Sequence, residues 1–244
     1  MIITVMNQSG GVGKTTVSHN LAHALSTRGP TLAIDLDPQA SLTGFMGGTG
    51  EGSYRWLMEG APPPIETVSP DLDLLRADIA LSVAEKELNN AIARETRLKK
   101  RLKNLDRYAF TVIDCPPSLN LLSILALVAA DAVLVPIQTQ IKSYRGTDLF
   151  LKTIVECRDE ANPNLEILGF VPTIYDRRIN HQKAVLRSIA EQLNEIAPVF
   201  DPIPNSAAFP DASGRRLPLA RYQEKHPALE IFETIAGRIS DYDR

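Results

Sequence analysis

The chain of 244 residues is predicted to fold as a single α/β domain, residues 1–244, with a doubly wound, mostly parallel sheet flanked by helices. Three observations carry this expectation. Short β-branched apolar runs recur along the chain, stretches with helical spacing separate them, and glycines or acids stand directly after several of the runs. Strands covered by helices on both faces read as continuous apolar runs, whereas a half-exposed sheet would alternate.

In chain order, Ile2 to Met6 is the first strand and Thr15 to Arg28 the first helix, followed by a second strand at Leu32 to Leu36. Glycine and proline then crowd Gly44 to Gly60 and Ala61 to Pro64, which marks an exposed excursion, because strand character resumes at Leu72 to Leu75. Leu81 to Leu105 has helical spacing and ends on the charges Arg97, Lys99, Lys100, Arg101 and Lys103, as a solvated helix face does. Phe110 to Ile113 is a strand, Leu119 to Ala129 a helix and Ala132 to Ile137 a strand. Tyr144 to Glu160 is expected as a helix, Ile167 to Pro172 as a strand and Gln182 to Ile196 as a helix, with an irregular stretch over Pro198 to Pro218.

Composition narrows the function. Hydrophobic residues make up 44% and charged residues 23%, enough apolar material for a sizeable core. The net charge of -3 supplies no bulk attraction to nucleic acid or acidic membranes, so such binding would need a local basic patch. Cys115 and Cys157 are too few for a disulfide scaffold or a four-cysteine metal site, and a reducing, cytoplasmic compartment is expected. The N-terminus starts on a strand and lacks the pattern of a secretory signal. Leu121 to Ile137 is apolar, yet short and interrupted by Asp131, so a buried helix feeding a strand is expected there instead of a membrane span.

The chemistry concentrates at Ser9 to Thr16, between the first strand and the first helix. Gly10, Gly11 and Gly13 let the backbone around Val12 curl so that its N–H groups converge on phosphate oxygens. The helix that follows opens at Lys14 to Thr16 and aims its positive end at the same place. Lys14 would then meet the β and γ phosphates, the Thr15 hydroxyl would ligate Mg²⁺ and Thr16 would touch the α phosphate. The usual motif wants a glycine where Gln8 stands, so the strict pattern fails at one position.

Acids follow two more strands. Asp35 and Asp37 lie at the end of the second, and Asp114 at the end of the strand beginning at Phe110. Buried acids of this kind need a cation or a hydrogen-bond network. Asp114 and Asp35 are expected to hold Mg²⁺, and Asp37 to orient or activate the attacking water.

Ser9 to Thr16, Asp35 to Gln39 and Asp114 to Pro117 together resemble the deviant Walker ATPases of the ParA/MinD group, and the resemblance extends over nearly the whole chain. It implies ATP and Mg²⁺ as cofactors, an ATP-sandwich homodimer and slow turnover without a partner. Pro172 and Thr173 resemble a loop near the nucleotide base, and Pro204, Asn205 and the Phe209 to Pro218 region resemble the adenine-side segment. The family's signature lysine, which reaches the partner's ATP, would fall at Ser9. Serine there is similar to the McdA subgroup, whose members space carboxysomes over the nucleoid. Lys142, with Arg145 second, is the candidate for the missing charge.

Relatives of the MinD kind bind membranes through a basic amphipathic C-terminal helix, whereas this chain ends Ile239-Ser-Asp-Tyr-Asp-Arg244, so no membrane partner is expected. Relatives of the ParA kind bind duplex DNA nonspecifically. Arg177, Arg178, Lys183, Arg187, Arg215 and Arg216, with Arg221, gather in the last third as candidates for that contact. The expected activity is ATP hydrolysis that positions a cargo, carboxysomes first and plasmids or chromosomes second, with a small adaptor stimulating release. A non-hydrolysing nucleotide scaffold and a cluster-bridging redox protein are the readings from other classes.

Overall fold

The computed structural model describes residues 1–88, 91–140 and 147–242. Its apolar runs become β1 Ile2–Val5, β2 Thr31–Asp35, β3 Ile65–Ser69, β4 Leu72–Leu75, β5 Phe110–Asp114, β6 Ala132–Gln138 and β7 Glu166–Thr173. They join in one sheet of order β3-β4-β2-β5-β1-β6-β7, parallel throughout except for β3 against β4. Every residue of β2 and β5 is buried, as continuous apolar runs require.

The chain leaves β1 toward β2 on one side and later returns to lay β6 and β7 on the other, so the winding reverses beside β1. A crevice at the carboxyl ends of the strands is the usual result of such a reversal. The register pairs Asp35 directly with Asp114, which sets two carboxylates side by side at that edge.

Helices cover both faces. On one, Val17, Leu21 and Leu25 of α1 Lys14–Ser26 pack with Val5, Val112 and Leu134. Phe232, Ile235 and Ile239 of the last helix close over the same layer. On the other face, α6 Leu121–Ala129 packs with Ile113 and Val135 and with Phe150 and Ile154 of α7 Thr147–Glu160. The Asn120 side chain accepts from Ser123 N at 3.1 Å and so caps α6. Asp131 accepts from Ile2 N at 2.6 Å, which accounts for an acid between α6 and β6. No helix among the described residues is long and apolar enough to cross a membrane.

Three expectations need correction. The excursion after β2 holds α2 Ser41–Phe45, α3 Tyr54–Glu59 and the edge strand β3. The long helix expected over Leu81 to Leu105 divides into α4 Leu81–Leu88, a single 3-10 turn at Arg94–Thr96 and α5 Arg97–Leu102, with Ala93 in a left-handed conformation at φ 52 that ends helical geometry. Beyond α8 Asn180–Leu193, the stretch read as irregular contains α9 Ala208–Gly214, and α10 Leu219–Tyr222 and α11 Ala228–Tyr242 follow it. The expected start of the helix before β7, at Tyr144, lies outside the described residues, and α7 is described from Thr147.

Candidate functional site

The loop after β1 is fixed at both ends before any ligand is considered. Asn7 is buried, donates to Pro136 O at 2.7 Å and accepts from Ser9 N at 2.8 Å. Thr173, at the end of β7, donates its hydroxyl to Val12 O at 2.8 Å. Between these anchors Gly11 and Gly13 take φ of 72 and 86, where a side chain would be strained. Gly13 precedes α1 without capping it by a side chain, so no side chain occupies the N–H groups of the first turn, a place where anions are favoured. The Lys14 ammonium donates to Ser9 O at 2.8 Å and stays within the loop. Burial pulls the Lys14 pKa down, while Asp114, Cys115 and Asp37 push it back up.

A cavity of about 460 Å³, within the size range of ligand sites, opens over this loop. Gly10, Gly11, Gly13, Lys14, Thr15 and Thr16 line it together with Pro204, Asn205, Ser206, Phe209 and Pro210. Asp37, Phe45, Thr173 and Ile174 complete the lining. Of the sequence-predicted residues, Gly10, Gly11, Gly13, Lys14, Thr15, Thr16, Asp37, Thr173, Pro204 and Asn205 meet around one space, whereas Val12 is fully buried and does not line it. Pro172 does not line it either: its carbonyl accepts from Ile203 N at 2.8 Å and holds that part of the wall in place.

The three acids separate by environment. Asp114 is fully buried and accepts from the Ser18 hydroxyl at 2.8 Å through Oδ1, and the nearby Thr15 side chain helps to hold its pKa down. Its other oxygen, Oδ2, is buried with no partner. Asp35 is also fully buried, but Oδ1 accepts from Asp37 N at 3.1 Å and Oδ2 accepts from both the N–H and the hydroxyl of Thr43 at 2.8 Å. Neither Asp35 nor Asp114 lines the cavity, and they differ in their oxygens: both of Asp35's are engaged in shaping the loop that carries Asp37, whereas Asp114 keeps Oδ2 without a partner. Thr43 in turn accepts from Ala77 N at 3.0 Å, tying that loop to the end of β4. Burial raises the pKa of Asp35 and of Asp114, and the proximity of Asp35 raises that of Asp114 further.

Magnesium fits this arrangement. The unpartnered Oδ2 of Asp114 and the Thr15 hydroxyl beside it are hard oxygen donors next to the loop that lines the cavity. Among the described residues no group of three or more His, Cys, Asp or Glu could hold a metal unaided. Mg²⁺ is characteristically held by few protein oxygens together with waters and phosphate oxygens.

Asn7, Ser18, Thr43, Phe45 and Ser206 escaped the sequence reading. Ser18 was within reach of it, because it follows Lys14 by four residues and so shares the face of α1 that meets β5. Thr43 and Phe45 lie in the stretch taken for an excursion, where no period marked α2.

The basic candidates fall on two separate elements. Arg177 and Arg178 precede α8, and Lys183 and Arg187 stand one turn apart on it; all four are exposed. Arg178 is already paired with Asp176 at 2.7 Å. Arg215 and Arg216 follow α9, the former over the Tyr222 ring at 5.3 Å and the latter with its side chain against Gly47. Lys142 and Arg145 lie outside the described residues.

Comparison with known proteins extends these observations. A family model described as an AAA domain matches residues 1–167. The chromosome partitioning protein ParA of Caulobacter vibrioides (strain NA1000 / CB15N) is 35% identical over 255 residues, covering 100% of this chain and 95% of that protein. A structure described as cobyrinic acid a,c-diamide synthase from Mycobacterium smegmatis with bound ATP analog and magnesium matches with a TM-score of 0.85 and 32% identity, covering 100% of this chain and 96% of that one. An ATP complex of a McdA variant from Cyanothece matches with a TM-score of 0.87 and 26% identity, covering 98% of this chain and 96% of that one. A family match over most of the chain, together with full-length similarity to a ParA, places this protein in the AAA-domain family as a ParA/MinD-type P-loop ATPase.

Proposed function

We propose that the chain binds ATP with Mg²⁺, dimerises around it, holds duplex DNA without sequence preference and positions a cellular cargo, with an adaptor that stimulates hydrolysis and release. The observation that carries the nucleotide part is the single cavity joining the Gly10–Thr16 loop, Lys14 and Asp37 to a wall at Pro204 and Asn205. ATP and magnesium accompany the similar Mycobacterium smegmatis and Cyanothece structures as ATP analog with magnesium and as ATP, respectively.

In the proposed mechanism the loop amides and Lys14 cradle the phosphates, and the Thr15 hydroxyl, oriented by Asp114, faces the metal position. Mg²⁺ supplies charge neutralisation of the phosphates when bound. Asp37, held by the Asp35 and Thr43 network, orients the attacking water toward the γ-phosphoryl group. Turnover is slow in the isolated chain, because the site is completed by a second copy. Ser9 leaves the cross-dimer charge to another group, Lys142 or Arg145.

DNA contact is assigned to Arg177, Lys183, Arg187, Arg215 and Arg216, with Arg178 contributing if it leaves Asp176. The apolar face of α11 is spent on the core through Phe232, Ile235 and Ile239, which argues against a membrane-binding last helix, and the similarity to a chromosome partitioning protein supports a nucleoid location. Ser9 supports carboxysomes as the cargo. Plasmid or chromosome partition is the second reading, supported by the 35% identity to a ParA.

Filter retention of random duplex DNA tests the proposal. Binding should require MgATP, ignore sequence and fall at least about a hundredfold as salt rises from roughly 50 to 200 mM, because several phosphates are neutralised together. Retention without nucleotide, or none with it, would contradict the proposal.

A further inference from the structure

We infer that Ser206 is a hydrogen-bond donor that reads a ring nitrogen of adenine in the cavity, and that His226 sets its polarity. The inference rests on the ATP reading above and adds a group that would contact the base. It follows from the accounting of protons around two side chains.

Ala228 N donates to His226 Nδ1 at 3.2 Å, so that ring nitrogen carries a lone pair. His226 is buried, and burial lowers its pKa, so the ring is neutral and its proton sits on Nε2. Nε2 stands 3.2 Å from Ser206 Oγ and must therefore donate to it. Ala208 N donates to the same oxygen at 3.2 Å. A serine hydroxyl has two lone pairs and one proton. With both lone pairs taken by Ala208 and His226, the Ser206 proton is left, and among the described residues no acceptor receives it.

Ser206 lines the same cavity as the loop and Lys14, together with Asn205 and Phe209, and the base of a nucleotide held by its phosphates at the loop would extend along that wall. The Phe209 ring stands edge-on to His226 at 5.6 Å, which fixes the imidazole plane. A lone donor recognises an acceptor. Adenine offers ring nitrogens as acceptors and only its exocyclic amine as donor, so a ring nitrogen is the complementary atom.

The test uses the full chain and isothermal calorimetry with Mg²⁺ and four nucleotides: ATP and its 1-deaza, 3-deaza and 7-deaza analogues, each lacking one ring nitrogen. The wild type should bind one analogue about tenfold more weakly than ATP, the scale of one hydrogen bond. In Ser206→Ala, ATP should weaken by a similar factor and the difference between ATP and that analogue should vanish. His226→Gln, which keeps an N–H near the Nε2 position, should retain the discrimination that His226→Leu loses. Equal binding of all four nucleotides by the wild type, or discrimination unchanged in Ser206→Ala, would overturn the inference while leaving the ATPase reading intact. A wild type that binds no ATP would overturn both.

Discussion

At the scale of single residues, placement decides which acid does what. Asp35 and Asp114 are adjacent in register and both fully buried, yet one has both oxygens engaged by Asp37 and Thr43 and the other keeps an oxygen without a partner. Pattern alone treats them as equivalent. The difference depends on where the chain returns after β2, and a hydroxyl eight residues downstream carries no periodic signal. The loop glycines and Lys14 were legible because their conformational requirement is local. His19 shows a residue effect with a measurable pH dependence. It is buried in α1, and burial lowers its pKa to about 4, with His23 adding to the shift. Between about 6.5, the ordinary value, and about 4 the unfolded chain binds a proton that the folded chain refuses. Stability from this group is therefore complete above the ordinary value and is lost as pH falls, by up to about 3 kcal/mol. Asp35 and Asp114, with raised values, act in the opposite direction and lose their contribution as pH rises. Urea unfolding of wild type against His19→Gln isolates the histidine: the wild type should lose ground to the variant as pH drops to about 4. A constant difference across that range would contradict a neutral, buried imidazole.

Elements were legible where the period was long and unbroken. α1, α6 and the strands of the sheet centre follow their apolar runs to within a residue or two at most ends. β3 escaped because five residues after a proline cluster, half-buried at an edge, have too little apolar content to stand out. α9 escaped because Pro210 and Gly214 punctuate it; Pro210 sits in the first turn, where a missing N–H costs little. β7 owes its role to a contact invisible in sequence. The segment from Pro198 to Asn205 runs along it, with Phe170 N donating to Pro198 O at 2.8 Å and Asn205 N donating to Tyr175 O at 2.9 Å. That approach needs Gly169, whose φ is 157 and whose added Cβ would fall 2.5 Å from the Phe200 ring and 2.6 Å from Pro198 O. Gly169→Ala is expected to cost about 1–3 kcal/mol by overpacking. Because the displaced segment carries Pro204 and Asn205, it should weaken ATP binding as well. A denaturant midpoint and a calorimetric titration check the two effects, and an unchanged midpoint would show that the segment does not press on β7.

For the whole molecule, one sheet organises everything that the proposed function uses. The reversal of winding beside β1 places the loop, the ends of β2 and β5, and the segment alongside β7 at one edge. Fold class was readable in advance, and so was the loop that lines the cavity, since both follow from strand, turn and helix in immediate succession. The rest of the lining was readable only by resemblance, because it joins residues near 173 and 204 to a loop near residue 13. Ligand that binds only the folded chain should raise its thermal midpoint, and more so as ATP concentration rises. The most direct test of the central claim is calorimetric titration of MgATP into the wild type and Lys14→Ala. Saturable binding by the wild type and its loss, or weakening by at least about a hundredfold, in the variant is the predicted result. No heat of association in the wild type, or equal affinity in Lys14→Ala, would contradict a phosphate site built on this loop.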